Sequence, residues 1–263
     1  MKTTIKIIGG LLLILSSNLN AQNAQEIVKK AIHASYYQGE NFKAKVNMTI
    51  IDKLGRRRNR NITMLRRDDS EKDDTQKYYV YFTKPADVRK MVFLAWKNID
   101  RGDDRWLYLP AMDLVKRIAA SDERTSFAGS HFFYEDVSGR NFDEDTHELV
   151  EQDEKYYVIK SIPKKPNKVE FSYMKNWVDK ETFIPMKAEF FGANGTVYRT
   201  YSVLDTAVVD GFTTVIDSQM EDNLTGSKTV LNYHTIKYNT DLPENIFTER
   251  FLRRPPLKLL LQL

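Results

Sequence analysis

Residues 104–140 read DRWLYLPAMDLVKRIAASDERTSFAGSHFFYEDVSGR, and the fold turns on how this stretch divides. It opens as a strand: Arg105, Leu107 and Leu109 share one parity, Trp106 and Tyr108 the other, and Pro110 stops the ladder. Val115–Ile118 is a second, shorter strand. Beyond it the alternation ends. Thr125–Gly139 carries Phe127, Phe132, Phe133 and Tyr134 on a backbone loosened by Gly129 and Gly139, with Glu135 and Asp136 following. An aromatic cluster in a non-periodic segment has to be covered, either by the protein's own sheet or by a ligand. The expectation is an insert that lines or lids an apolar cavity.

The flanks read as one antiparallel series. Met91–Trp96 is apolar on both parities, so that strand has protein on one side and something apolar on the other. Further upstream, Phe42, Ala44, Val46, Met48 and Ile50 alternate with Lys43, Lys45, Asn47 and Thr49, one face buried and one wet. Asn23–Tyr37 predicts a helix with an apolar face through Ile27, Val28, Ala31 and Ile32, ended by Gly39. Downstream, Asn141–Lys155 is polar and acidic and reads as a turn or short helix. Phe183–Phe191 and Thr196–Val203 form a hairpin across Ala193-Asn194-Gly195. The tail Leu257–Leu263 after Pro255-Pro256 reads as a final strand, ahead of a membrane-touching segment or a disordered end. About ten antiparallel strands result, broken once by the insert. Absence of βαβ alternation argues against nucleotide-binding α/β folds, and the series suits a barrel or strongly curved sheet.

RWLYLP, VKRI and SFAGSHFFYEDVSGR together resemble the signature of the outer-membrane lipoprotein-sorting family, the LolA-like periplasmic carriers. The resemblance is most specific over Trp96–Arg140 and looser over the rest of the mature chain. It implies a mainly β fold with a few helices: an incomplete, half-open antiparallel β-barrel covered by helices and loops. It further implies a non-enzymatic function, the holding of lipid or lipoprotein acyl chains in an apolar interior. No individual functional residue of the family is carried over.

Composition narrows the setting. Residues 1–21 read as a signal peptide, with Lys2 and Lys6 ahead of the apolar run Ile7–Leu15 and a cleavage site after Ala21, leaving 22–263 as one domain. That run is shorter than the ~20 residues a membrane-spanning helix needs. The chain has no cysteine, which excludes disulfides, thiolate metal sites and a lipidated N-terminus. Loss of Lys2 and Lys6 lowers the formal charge from +4 to +2, so no net field draws the protein to nucleic acid. The expectation is a monomeric periplasmic protein without a cofactor.

Candidate chemistry is sparse. The histidines His33, His131, His147 and His234 have no metal-ligand spacing; His131 with Glu135 and Asp136 is the best metal candidate, against a plainer reading in which the two acids pair with Arg140 or backbone amides. Ser130 lacks a nucleophile elbow. Candidate cavity or lid residues are Phe93, Trp96, Trp106 and Tyr108 from the strands, with Phe127, Phe132, Phe133 and Tyr134 from the insert. Taken without the resemblance, such residues are more often core than pocket. The basic run Arg56, Arg57, Arg58, Arg60 reads either as a docking surface for a membrane or acidic partner or as an outward strand face that prevents edge pairing. Three functions stay open: a carrier moving acyl chains toward the outer membrane, with an inner-membrane transporter and an outer-membrane acceptor as partners; a lipid-responsive sensor or adaptor docking on an envelope transporter; and a hydrolase built on the insert. Should the interior prove filled by the rings of Phe127–Tyr134 with no void beneath, the carrier reading fails.

Overall fold

The computed structural model describes residues 23–70 and 74–261. The expected signal peptide lies outside the described residues. Residues 23–32 form helix α1, which continues as a π-helical turn over His33–Tyr37. The chain then builds a first meander: β1 (Asn41–Ile51), β2 (Arg57–Asp68), β3 (Gln76–Lys84), β4 (Val92–Lys97), β5 (Asp104–Leu109) and β6 (Leu114–Ile118). Residues 119–144 are the insert, carrying helix α2 (Tyr134–Ser138). A second meander follows: β7 (Asp145–Gln152), β8 (Tyr156–Pro163), β9 (Tyr173–Asp179), β10 (Pro185–Phe191), β11 (Val197–Val209), β12 (Phe212–Asp222) and β13 (Ser227–Tyr238). Short helices α3 (Arg250–Arg253) and α4 (Leu257–Leu261) end the described chain.

Antiparallel pairing of β1 with β13 fuses the two meanders into one 13-stranded sheet in the order 6-5-4-3-2-1-13-12-11-10-9-8-7. The sheet does not close: β6 and β7 are its free edges, and the insert is the connection between them. This is the half-open barrel expected from the resemblance, and the insert straps its open side.

Parity separates the faces. Val46, Met48, Ile62, Val80, Phe93 and Leu107 belong to the inner cluster. Their neighbours Leu65, Tyr79, Tyr81, Leu94 and Trp106 face outward and are covered by the C-terminal segment through Leu242, Phe247, Leu252 and Leu260. β4 is therefore buried on both faces, as its unbroken apolar run requires. Helix α1 sits against the inner face of the second meander, where Ala24, Ile27 and Ala31 pack on Ile159 and Val178. The buried Arg66 guanidinium donates to the carbonyls of Tyr36, Gln38 and Gly39, so a cation satisfies the orphan acceptors at the helix end.

Several sequence expectations are corrected. Asn141–Lys155 contains strand β7 after a 3₁₀ turn at Phe142–Glu144. As an edge strand it buries little, so its sequence stays charged. Leu257–Leu261 of the tail fold as helix α4, entered from Pro255-Pro256: both edges of β2 are already paired, to β1 and β3, so the sheet offers the segment a surface rather than an edge. The strand expected to end at Val203 runs on to Val209 as β11, irregular in its pairing near Asp205.

Candidate functional site

The inner face of the half-barrel encloses a cavity of about 360 Å³, within the range of small-molecule sites. Val28, Ala31 and Ile32 of α1 line one side, and Val46, Met48 and Met64 of the first meander another. Ala188, Phe190, Met220 and Leu231 supply the second meander's wall. The insert contributes Phe127 and Phe132. The strand residues among these share the inner parity of their strands, which makes that part of the wall apolar, while Arg66, Glu135, Asp136, Arg140 and Asp145 line the rest.

The insert is held by charges rather than by hydrophobic packing alone. Arg105 on β5 donates to Glu123 at 2.7 Å, and the buried Lys97 ammonium on β4 donates to the Gly139 carbonyl at 2.8 Å. On the other side Arg199 of β11 pairs with Asp136 and donates to the His131 carbonyl at 3.0 Å. Glu135 is clamped by Arg124 and Arg140, the latter at 2.9 Å, and Arg140 also holds Asp145 at 2.9 Å. Burial pushes the Glu135 carboxyl up to about 7 against the pull of both guanidiniums. Gly139 (φ +73°) lies where an added Cβ would come within 2.7 Å of the Tyr36 ring, so α1 and the insert touch through it.

The aromatic residues singled out in the sequence separate into three environments. Phe127 wedges between Phe82 and Phe93 at centroid distances of 5.8 and 5.3 Å and stands edge-on to Tyr134 at 5.6 Å. These rings do fill one another's space, yet a void remains beside them, with Phe127 and Phe132 in its wall. Phe93 and Tyr134 back that wall without lining it. Phe133 lies outside the lining and packs its ring on the guanidinium of Arg199, 3.9 Å away. Trp96, Trp106 and Tyr108 stand on the outer face. The two indoles meet edge-on at 4.8 Å, and Trp96 Nε1 donates to the Phe247 carbonyl at 2.8 Å, so they seat the C-terminal segment. The alternation that places Leu107 inside forces Trp106 and Tyr108 out.

Of the basic run, Arg56, Arg57 and Arg58 are exposed at the β1–β2 hairpin, where Asp52 holds Arg56 at 2.7 Å. Arg60 instead turns inward beneath the insert, its Nη2 3.8 Å from the Cβ position of Gly129. The metal candidate disperses: both ring nitrogens of His131 bond hydroxyls, Thr229 and Ser227, at 2.8 Å, while Glu135 and Asp136 go to arginines. Ser130 Oγ bonds the Phe132 backbone, not His131. Among the described residues no group of three acids or histidines is placed to hold a metal.

Comparison with known proteins completes the picture. Residues 74–254 match the model of a family described as "Uncharacterized protein"-like. The chain belongs to that family. Among solved structures, it superposes on a DUF1329 family protein from Desulfovibrio piger with a TM-score of 0.81 at 23% identity, over 89% of this chain and 99% of the other. A domain from Vibrio parahaemolyticus, named for outer membrane lipoprotein sorting, gives a TM-score of 0.81 at 26% identity over 89% and 100%. A LolA superfamily protein from Nitrosomonas europaea gives 0.66 at 24% over 87% and 98%. No curated protein matches the chain. The likeness to LolA-like proteins read from residues 96–140 thus extends to the whole sheet.

Proposed function

We propose that this family member is a periplasmic, non-enzymatic carrier that shields an acyl chain from water inside the half-barrel and moves it toward the outer membrane. The observation that carries this reading is the apolar cavity between α1, the insert and the inner sheet face. Each methylene transferred from water to such a wall gains ~0.8 kcal/mol, so eight buried methylenes gain roughly 6 kcal/mol before ordering costs. Release then needs an acceptor that offers the chain an equally apolar surface.

Support for a membrane as that contact comes from two neighbouring hairpin ends of the sheet. Leu54 (69% exposed) and Leu224 (71% exposed) tip adjacent hairpins, with Lys53, Arg56, Arg57 and Arg58 around the first. An apolar tip ringed by cations, as at Leu54, fits an anionic lipid surface. The same run serves the sensor or adaptor reading, in which it meets an acidic face of a transporter. Reversing Arg56, Arg57 and Arg58 to Glu separates the two: a carrier keeps its acyl affinity and loses only docking.

The test is a titration of delipidated protein with a fluorescent acyl probe, expected to saturate at one site with low-micromolar affinity. Absence of saturable binding overturns the proposal, as does esterase activity that disappears when Ser130, His131 and Glu135 are replaced together.

A further inference from the structure

The two outer strands of the sheet are guarded by charge. β6 carries Lys116 and Arg117, and β7 carries Glu148 and Glu151. Such side chains discourage a foreign strand from pairing along an edge. A further free edge lies inside the strand order. β10 pairs with β11 only as far as Ser202, and β12 pairs with β13 only from Asp217. Beyond those points β11 and β12 have only each other, from Asp205–Asp217 to Val209–Phe212, and they run on as a two-stranded arm.

The two sides of the arm differ. On the β12 side the space is taken: Gln38 Nε2 donates to the Thr213 carbonyl at 3.1 Å, the Thr214 and Tyr238 hydroxyls meet at 3.0 Å, and the Phe212 ring lies 4.8 Å from that of Tyr238. On the β11 side no strand pairs with Val203–Val209 among the described residues. This run reads VLDTAVV and has no lysine, arginine or proline. Leu204 is 52% exposed and Val208 74%. A β-branched, solvated edge without guards is a template for an added strand.

The arm's charge says which strand fits. Residues 203–217 carry Asp205, Asp210 and Asp217 and no cation. Asp205 accepts from the Thr206 N–H at 2.8 Å, Asp210 from the Tyr238 N–H at 3.0 Å, and Asp217 from the Asn232 amide. Their partners are neutral, and among the described residues no lysine or arginine pairs with them. Lys187, beside the arm opposite Ser202, is held by Glu189 at 2.5 Å. A second copy would bring acids against acids, and an anionic bilayer would be repelled too. The complement is a strand that bears lysine or arginine.

We propose that Val203–Val209 is a docking edge that takes an extended strand of alternating apolar and basic side chains from a partner protein. The arm stands at the opposite end of β12 from Leu224, so a membrane at the Leu54 and Leu224 tips leaves it free. The inference goes beyond the carrier reading and holds whatever the cavity contains.

Three fluorescein-labelled seven-residue peptides test it on the full chain: one alternating lysine and valine, one alternating glutamate and valine, and the lysine peptide with all its backbone nitrogens methylated. The third keeps the charge but cannot donate along an edge. The plain lysine peptide should saturate one site and bind at least about tenfold more tightly than either of the others. Leu204→Lys combined with Val208→Lys gives this edge the guard that β6 has, at two exposed positions. It should weaken the lysine peptide at least about tenfold and leave the urea midpoint unchanged. Absence of saturable binding overturns the inference, as does equal binding of the glutamate or methylated peptide, or an affinity that survives the double substitution. A dimer in sedimentation velocity that the same substitutions dissolve would give the edge to a second copy and overturn it too. The wild-type comparison of peptides decides even if the variant does not fold. Binding of an acyl probe, measured alongside, reports on the carrier reading separately.

Discussion

At the scale of single residues, Gly139 and Glu135 fix how the insert meets the rest of the chain. Gly139→Ala asks for a left-handed alanine and drives its Cβ into the Tyr36 ring. A loss of roughly 1–3 kcal/mol in urea denaturation is expected, and an unchanged midpoint would contradict the contact. Glu135 acts through its proton. Its carboxyl titrates near 7 in the folded chain, above its ordinary value of 4.5, so the native state holds the proton to higher pH than the unfolded chain does. The stability this confers is fully present below 4.5 and is lost as pH rises through about 7. Unfolding free energy measured from pH 4.5 to 8 should therefore decline more steeply in the wild type than in Glu135→Gln; parallel profiles would refute the buried carboxyl. Some of this was legible in the sequence, since Glu135 and Arg140 lie close enough along the chain to be paired on sight. Arg124 and Arg199, which complete the clamp on Glu135 and Asp136, come from other turns and strands, and no spacing announces them. Nor does any local signal distinguish Phe127, at the cavity, from Phe133, stacked on Arg199.

At the scale of elements, the C-terminal segment and the insert cover opposite faces of the first meander. Phe247→Ala should cost roughly 3–5 kcal/mol, because the ring is fully buried beneath α3 and α4. It should leave acyl binding unchanged, since the outer face is remote from the cavity. Trp106→Leu should behave the same way, whereas Phe132→Asp should weaken binding at least about tenfold by placing a charge in the wall. A fluorescent-probe titration beside a urea melt separates the two classes; a Trp106 variant that loses affinity would contradict the assignment of faces. Alternation in β1 and the double apolar parity of β4 were enough to recognise strands and to say that both faces of β4 are covered. They do not say which face is which. That depends on the β1–β13 pairing, made between residues nearly two hundred positions apart, and on a C-terminal segment whose apolar side chains read equally well as a strand or a helix. β7 was missed for the opposite reason: an edge strand with one solvated side carries little hydrophobic pattern to read.

At the scale of the molecule, the β1–β13 join places the hairpin ends of Leu54 and Leu224 side by side. Lys53, Arg56, Arg57, Arg58 and Lys228 lie around them, with Asp52 held by Arg56 and Asp222 taken up by the turn at Leu224 and Thr225, whereas Glu40, Asp69 and Asp210 stand at the far ends of the same strands. The protein should cosediment with phosphatidylglycerol vesicles and not with phosphatidylcholine vesicles, and added salt should release it. Leu54→Ser combined with Arg57→Glu should reduce the bound fraction severalfold; binding indifferent to lipid charge would contradict this orientation. The central claim is the hollow on the inner face of the sheet, and closing it tests the claim most directly. Ala188→Trp places an indole in the cavity wall, and its affinity for a fluorescent sixteen-carbon monoacylglycerol can be compared with that of the wild type. Saturable one-site binding by the wild type, lost in a variant that still unfolds cooperatively, is the expected result; equal affinity in the folded variant, or no saturable binding by either, would contradict it.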